Sequence, residues 1–459
     1  MTSILQNEPA TAFENFHDPN WVKLTLQHCL PNIVGYEGII QHCDISYLHY
    51  KRYLKARSRQ KSFLAVCYDL SITDLHEHIQ HATVFAKIYL GDRSQMEYDK
   101  LMQDRLTRNA KDQQPLHLAD LGMIVWMFPS DPSLPQLADL LDPSRVTHYF
   151  PPGYCPVPRT HPTQIPQVTP HVVHYRPECR CTIRYLLQGD PASQGSSVML
   201  FAKTFKDDER EVFQRMEALW NLSQKNPNTI KVPKPLSYDD SIHTIWQEGV
   251  AGLPLREVIQ PSNYHHYLKS VALGLAILQQ STLPSSSTIS SHDHVIEFHK
   301  KAQKLSQVFP TGSEILQNLG RTLEELALSD GPISTQMIHG DFHIGQLLAD
   351  NTQVTFFDLD ECAMGDPLQD VANFLVDLHF QEFPSGFRQH MTQSFVKAYT
   401  ALVPWEVSQR RLDWHAAIQF TNKVYRSFIQ RKPSFEKDFD RFMNFLKESS
   451  LSTTEHANP

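Results

Sequence analysis

The sequence predicts an α+β protein in which two successive copies of a strand-rich unit precede a mainly helical portion. Three observations predict it. FLAVCYDLSI, HATVFAKIYLGD, an acidic helical stretch and GMIVWMFPSDPSLPQLADLL recur as CTIRYLLQGD, SSVMLFAKTFKDD, a second acidic helical stretch and HTIWQEGVAGLPLREVI. Between the copies runs THYFPPGYCPVPRTHPTQIPQVTPHV, where proline fixes backbone angles and removes amide donors, so no helix passes through it. After the second copy the apolar spacing changes to three and four residues.

Taken in order, each copy reads as two β-branched or aromatic strands, a helix, and further strands that end in a Leu-Pro turn into a helix. Phe-Ala-Lys closes a strand in both. Tyr68 precedes Lys87 by 19 residues and Tyr185 precedes Lys203 by 18, while Trp126 and Trp246 follow those lysines by 39 and 43. Such matched landmarks are the signature of an internal duplication. The connector marks a boundary near residue 150, which predicts a repeat-like cap over 1–150, a second strand-rich lobe over 151–250 and a helical lobe over 251–459. In the last of these, YHHYLKSVALGLAILQQ, EILQNLGRTLEELAL and DWHAAIQFTNKVYRSFIQ carry amphipathic helical periodicity.

The chain has 459 residues, 41% of them hydrophobic and 20% charged, which is ordinary globular material with an ample core. A net charge of -8 and a pI near 6.3 leave no basic excess to neutralise a phosphate backbone, which argues against nucleic acid as a partner. The first residues lack a basic region followed by an apolar core, and no apolar run approaches the ~20 residues of a membrane span. The expectation is a cytoplasmic protein that engages no membrane. Seven cysteines, odd in number and scattered, fit reduced thiols. The Cys179/Cys181 pair has no second pair to complete a zinc site.

Two segments carry chemistry. IHGDFHIGQLL places His339, Asp341 and His343 at alternate positions and ends in the amide Gln346. In VTFFDLDE the apolar run Val354 to Phe357 reads as a buried strand that delivers Asp358 at its end, and a turn at DNTQ folds the two segments into a hairpin. Two carboxylates and an amide that converge there suit an oxygen-loving ion such as Mg²⁺ bridging nucleotide phosphates, with one carboxylate left to orient or accept a hydroxyl proton. Asp360 is a candidate second ligand. Alternatively the H-x-D-x-H cluster could hold zinc through His339 and His343. In GDPLQDVANFL, Asp366 and Asp370 precede or open an apolar helix, where carboxylates cap the helix and can accept amides of the loop.

His339-Gly340-Asp341, Gln346, Asp358 and GDPLQDVANFL together resemble the aminoglycoside phosphotransferase and choline kinase group of protein-kinase-like small-molecule kinases, over roughly residues 165 to 440. The resemblance implies a bilobal protein-kinase-like fold, with an antiparallel β-sheet N-lobe and a mainly helical C-lobe, here preceded by a degenerate duplicated N-lobe. It implies ATP and Mg²⁺ as cofactors and a small-molecule hydroxyl acceptor of the sugar, aminoglycoside or amino-alcohol class. Asp341 then matches the catalytic Asp and Asp358 the metal-binding Asp. Gln346 stands at a metal-binding Asn position, a departure by one methylene that looks like the HxGQ form of the maltokinase branch. Lys203 matches the strand lysine that neutralises phosphates, and Glu217 the helix glutamate that aims it. WQEGVAGLPL would be the interlobe linker, where backbone groups of Gln247, Glu248 and Val250 could bind adenine. No glycine-rich loop precedes Lys203; Arg176 and Arg180 of HYRPECRCTIRY stand there, and their guanidinium forks can bind phosphate oxygens instead.

The first copy keeps Lys87, with Glu97 ten residues on, yet no HGD or strand-end Asp follows before the second copy begins. It reads as a half-kinase without base or metal site, packed on the working copy and shaping the acceptor pocket. Two other classes stay open at this point: a nucleotide-binding pseudokinase and a zinc-dependent hydrolase. Acidic and aromatic residues of the helical lobe (Glu361, Asp377, Trp405, Trp414, Tyr425) form no pattern that selects one acceptor.

Overall fold

A computed structural model describes residues 11–51, 62–108, 114–154, 168–187, 198–225, 230–329, 335–350 and 353–451. Residues 155–167 of the proline-rich connector lie outside the described residues, Cys155 with them; the other six cysteines are free thiols. The chain forms two compact units. One comprises Met1–Tyr185, Lys203–Asp207 and Ile429–Arg431, the other Leu186–Ala202, Asp208–Phe428 and Lys432–Pro459.

In the first unit, α1 (Pro19–Val34) starts where Asp18 accepts the Asn20 amide at 2.9 Å with Pro19 in the first turn, and stops at Gly35, whose φ of 82° suits glycine. Its buried Val22, Leu26, Leu30 and Ile33 share one face and join the core of the sheet beside it. That sheet is β1 (Gly38–Lys51), β2 (Phe63–Asp74), β3 (Ile79–Tyr89), β4 (Leu116–Leu118) and β5 (Met123–Met127), ordered β1-β2-β3-β5-β4, with α2 (Arg93–Arg108) between β3 and β4. α1 and β1 lie ahead of the first element read from sequence. The turn of α3 (Leu137–Leu140) follows.

β6 (Val168–Arg176), β7 (Arg180–Leu187), β8 (Val198–Phe205), β9 (Pro235–Asp239) and β10 (Thr244–Glu248) form a second five-stranded sheet ordered β6-β7-β8-β10-β9, with α4 (Arg210–Lys225) between β8 and β9. Strand for strand this is the order of the first sheet. The landmarks coincide as well: Tyr68 and Tyr185 are fully buried on the second strand of each, and Trp126 and Trp246 are buried on the fifth. Both tyrosine hydroxyls donate to a backbone carbonyl, Tyr68 to Phe16 at 3.0 Å and Tyr185 to Leu140 at 2.8 Å. A buried phenol needs such an acceptor, so the matched positions do matched work.

The second unit is mainly helical: α5 (Leu255–Val258), α6 (Tyr264–Gln280), α7 (Ser291–Val308), α8 (Ser313–Ser329), α9 (Leu368–Phe380), α10 (Ser385–Thr400), α11 (Gln409–Ile429) and α12 (Phe435–Glu448). Its core joins Phe298, Leu305, Leu323, Phe420, Val424 and Phe442. Among the helices run two small antiparallel sheets, β11 (Leu253–Pro254) with β13 (Leu347–Ala349) and β14 (Val354–Phe356), and β12 (Gln336–Ile338) with β15 (Ala363–Gly365). Gly274 lets α6 approach β14, since an added Cβ would stand 2.5 Å from the Phe356 ring. The α+β class and the antiparallel sheets are as the sequence predicts. Among the described residues no helix is long and apolar enough to cross a membrane.

Candidate active site

β12 leads directly into His339-Gly340-Asp341. Gly340 has φ 84°, and a Cβ there would collide with the Glu361 carbonyl oxygen, so only glycine fits. Fully buried Asp370 on α9 accepts the amides of His339 (2.8 Å) and Gly340 (3.0 Å) and the Gln279 side-chain amide (3.1 Å). This is the bracing expected of that carboxylate. Burial pushes its pKa up, against the pull of the His339 ring and the donated amides. The Gly340 carbonyl in turn accepts from Asn373 at 3.0 Å. Asp366 caps α9 at the Leu368 amide and pairs with Arg411 (2.5 Å) and His415 (2.9 Å). Burial would raise its pKa, but bonding to His415 and Arg411 prevails and holds it well below the usual carboxylate range.

Asp341, held by this frame, is 46% exposed. His343 lies beside it with Nε2 3.8 Å from Oδ2. The Gly345 amide donates to His343 Nδ1 at 3.0 Å, so the neutral ring carries its proton on Nε2, toward Asp341. Burial lowers the His343 pKa in spite of the carboxylates of Asp341 and Asp377. Asp377 itself is paired with Lys423 at 2.6 Å.

The hairpin forms where DNTQ predicts it: β13 pairs with β14, Leu347 opposite Phe356, and the Gln353 amide donates to Asp350 Oδ1 at 2.8 Å. Residues 351 and 352 of that turn lie outside the described residues. Beyond β14 the chain turns at Asp358, whose φ of 64° is unusual for a side chain with a Cβ. Gln346 Nε2 donates to Asp358 Oδ2 at 3.0 Å, so these two expected metal ligands meet. The Asp341 loop and the Asp358 segment run side by side, joined by His339 Nε2 with the Phe357 carbonyl at 3.1 Å and by the close pass of Gly340 and Glu361. Here the amide nitrogen of Gln346 faces Asp358, and a flip of the amide would turn its oxygen toward the same place; a carboxylate with such an oxygen fits Mg²⁺, which takes one or two protein carboxylates and completes its shell with phosphates and water. Zinc fits less well. His343 Nδ1 accepts the Gly345 amide, so the neutral ring keeps its proton on Nε2 and offers a metal no lone pair, and among the described residues no three His, Cys, Asp or Glu side chains are placed to share a metal ion.

The remaining expected residues are distributed as follows. Lys203 lies on β8 with Nζ 5.7 Å from the centre of the Phe205 ring. On α4 the buried face is Val212, Arg215, Met216, Leu219 and Ser223; Glu217 is exposed and makes no hydrogen bond or ion pair among the described residues. Arg215, which the sequence reading missed, bonds Glu211 at 2.6 Å and the Asp360 carbonyl at 3.4 Å, tying α4 to the segment that follows Asp358. Helical spacing from Val212 and Leu219 would have found it. In the segment from Gln247 to Val250, the Glu248 and Gly249 amides donate to the Lys234 and Met199 carbonyls at 2.9 and 2.8 Å, so neither amide is open to a ligand. Glu248 and Val250 line a cavity of about 230 Å³ with Trp220, Lys231 and Gln353. Arg176 is exposed and hydrogen-bonded to Tyr47, and Arg180 opens β7.

A profile of the phosphotransferase enzyme family (APH) matches residues 189–405. Among solved structures the chain is similar to choline kinase from Cryptosporidium parvum Iowa II, at 14% identity and a TM-score of 0.46, covering 66% of this chain and 93% of that one. It is similar to a choline/ethanolamine kinase family protein from Mesorhizobium loti (15% identity, TM-score 0.43, 61% and 90% covered). It is also similar to a thermostable mutant of aminoglycoside phosphotransferase APH(4)-Ia (15%, 0.43, 61% and 95%). No curated protein matches the sequence. Lys203, the HGD loop, Gln346, Asp358 and the α9 carboxylates all fall inside the stretch that matches the phosphotransferase enzyme family profile.

Proposed function

We propose that this chain is an ATP- and Mg²⁺-dependent phosphotransferase of the cytoplasm that transfers the γ-phosphoryl group to a hydroxyl of a small molecule, of the sugar, aminoglycoside or amino-alcohol class. One observation carries the reading: the braced loop that presents Asp341 runs against the segment that presents Asp358, with Gln346 3.0 Å from the Asp358 carboxylate. Residues 1–150 serve as a cap, 151–250 as the nucleotide lobe and 251–459 as the helical lobe that binds the acceptor.

Asp341 orients the acceptor hydroxyl and takes its proton as the oxygen attacks the γ-phosphorus and ADP departs. The proton on His343 Nε2 points toward that carboxylate from 3.8 Å, and nearly half of the Asp341 side chain stays open for an acceptor. Asp358 and Gln346, with Asp360 beside them, would hold the metal, whose charge neutralises the phosphate oxygens. Lys203, Arg176 and Arg180 contribute further positive charge to the nucleotide phosphates, whereas Glu217, expected to aim Lys203, faces solvent on α4. The linker from Gln247 to Val250 receives adenine. Catalysis of this kind is mostly positioning and charge neutralisation.

The test is acceptor-dependent ADP release by the purified chain across a library of hydroxyl compounds, followed by Asp341→Asn. Turnover should fall by ~10²–10⁴-fold with Mg·AMP-PNP binding preserved. An Asp341→Asn protein that still turns over removes Asp341 from its role.

A further inference from the structure

The turn between β6 and β7 carries Arg176 and Arg180 at its ends, the residues proposed above to contact the nucleotide phosphates. Here it has no glycine. Glu178 sits in it at φ 57°, a left-handed conformation that side chains with a Cβ adopt only where their surroundings hold them. The holders come from the first repeat. Lys87 Nζ lies 2.5 Å from Glu178 Oε2. Asp131, 1% exposed, accepts the Glu178 amide at 2.8 Å and the Tyr175 hydroxyl at 2.7 Å through one oxygen. Its other oxygen accepts the Ser133 and Leu134 amides, which fixes the carboxylate in place. Tyr47 bonds Arg176 on the far side of the turn.

Lys87 is the first repeat's counterpart of Lys203: each follows Phe-Ala on the third strand of its sheet. Its ammonium lies 5.7, 5.9 and 5.8 Å from the ring centres of Phe63, Phe85 and Trp126, an aromatic setting that favours a cation, and it pairs with the Glu178 carboxylate. We infer that the first repeat is a positioning device for nucleotide binding: Lys87 grips a carboxylate where its counterpart would grip a phosphate, and with Asp131 and Tyr47 it pre-orders the turn that carries Arg176 and Arg180. This rests on the kinase reading above, and it assigns the first repeat to the nucleotide rather than the acceptor.

A loop ordered before binding spares the ligand the cost of ordering it. The experiment compares the full-length chain with Lys87→Met, which keeps bulk in the aromatic setting, and with Glu178→Gln, a change at a side chain 31% exposed that the fold tolerates. Expected for both are faster amide hydrogen exchange over residues 175–181, a weakening of Mg·AMP-PNP binding and a rise in KM for ATP of about tenfold, with kcat and acceptor KM held within about twofold. Lys87→Arg and the swap Lys87→Glu/Glu178→Lys should recover most of the affinity. Unchanged nucleotide affinity in both single variants overturns the inference and leaves the kinase reading standing. Equal losses in kcat and in both KM values overturn it too, as general damage to the fold. A wild-type chain that binds no Mg·AMP-PNP overturns the kinase reading and this inference together.

Discussion

Asp370→Asn tests how the Asp341 loop is held. The wild-type carboxylate accepts three donors in a fully buried site: His339 N and Gln279 Nε2 on one oxygen, Gly340 N on the other. Asparagine is nearly isosteric but has a single acceptor oxygen. Facing that oxygen toward His339 and Gln279 turns its NH₂ onto the Gly340 amide, which leaves two buried donors opposed. An unsatisfied buried amide costs ~1–3 kcal/mol, and the bonds that survive lose their charge assistance. Removal of a buried charge returns part of this, since burial already pushes the Asp370 pKa up. The net expectation is a loss of about 2 kcal/mol, or roughly 4–8 °C in Tm for a unit of this size. The larger effect is on chemistry, because the two amides belong to the residues that precede Asp341. A shift of about 1 Å in the loop costs on the order of 10²-fold in kcat. Thermal unfolding and acceptor-dependent ADP release measure the two effects separately. A variant with wild-type Tm and wild-type kcat would refute the idea that this carboxylate fixes the loop.

Two further outcomes follow from the same geometry. Gly340→Ala combines a left-handed φ of 84° with a backbone collision at Glu361, so it should destabilise by roughly 3 kcal/mol or more and abolish turnover, as chemical denaturation and ADP release will read. His294 and His379 have pKa values lowered to about 4, first by burial and then by neighbouring cations. The unfolded chain therefore binds protons that the folded one refuses between pH ~6.5 and 4. This stability is present in full above ~6.5 and drains as pH falls, by up to about 2 kcal/mol per imidazole at pH 5. Urea titrations at pH 7 and pH 5 that give equal stability would contradict this.

Much of the site is legible in the primary structure because its parts are contiguous. HGD, the DNTQ turn and the strand ending at Asp358 lie within twenty-one residues, and local turn chemistry brings Gln346 to Asp358. The expected bracing by Asp370 is likewise readable, since a carboxylate at a helix start beside a loop has few other partners. Distance along the chain from Lys203 points to Glu217, whereas helical phase turns it to solvent and turns Arg215 inward. β1 is hard to read from sequence because register shifts between Ile40 and His42 and between Ile45 and Tyr47 break its alternation; pairing along all of β2 makes it a strand.

By itself, then, the sequence determined the α+β class, the matched landmarks of two like-ordered sheets and the segments that carry Asp341 and Asp358, since periodicity, turn residues and motif spacing are properties of neighbouring residues. Tertiary structure alone decided how those groups are buttressed and what the first repeat touches. The Lys87–Glu178 and Asp131–Tyr175 contacts join residues 91 and 44 apart in the chain, and no local pattern specifies a pairing at that range. Such contacts arise only when whole sheets have packed, because the packed sheets supply the burial that makes an unpaired charge too costly to leave alone.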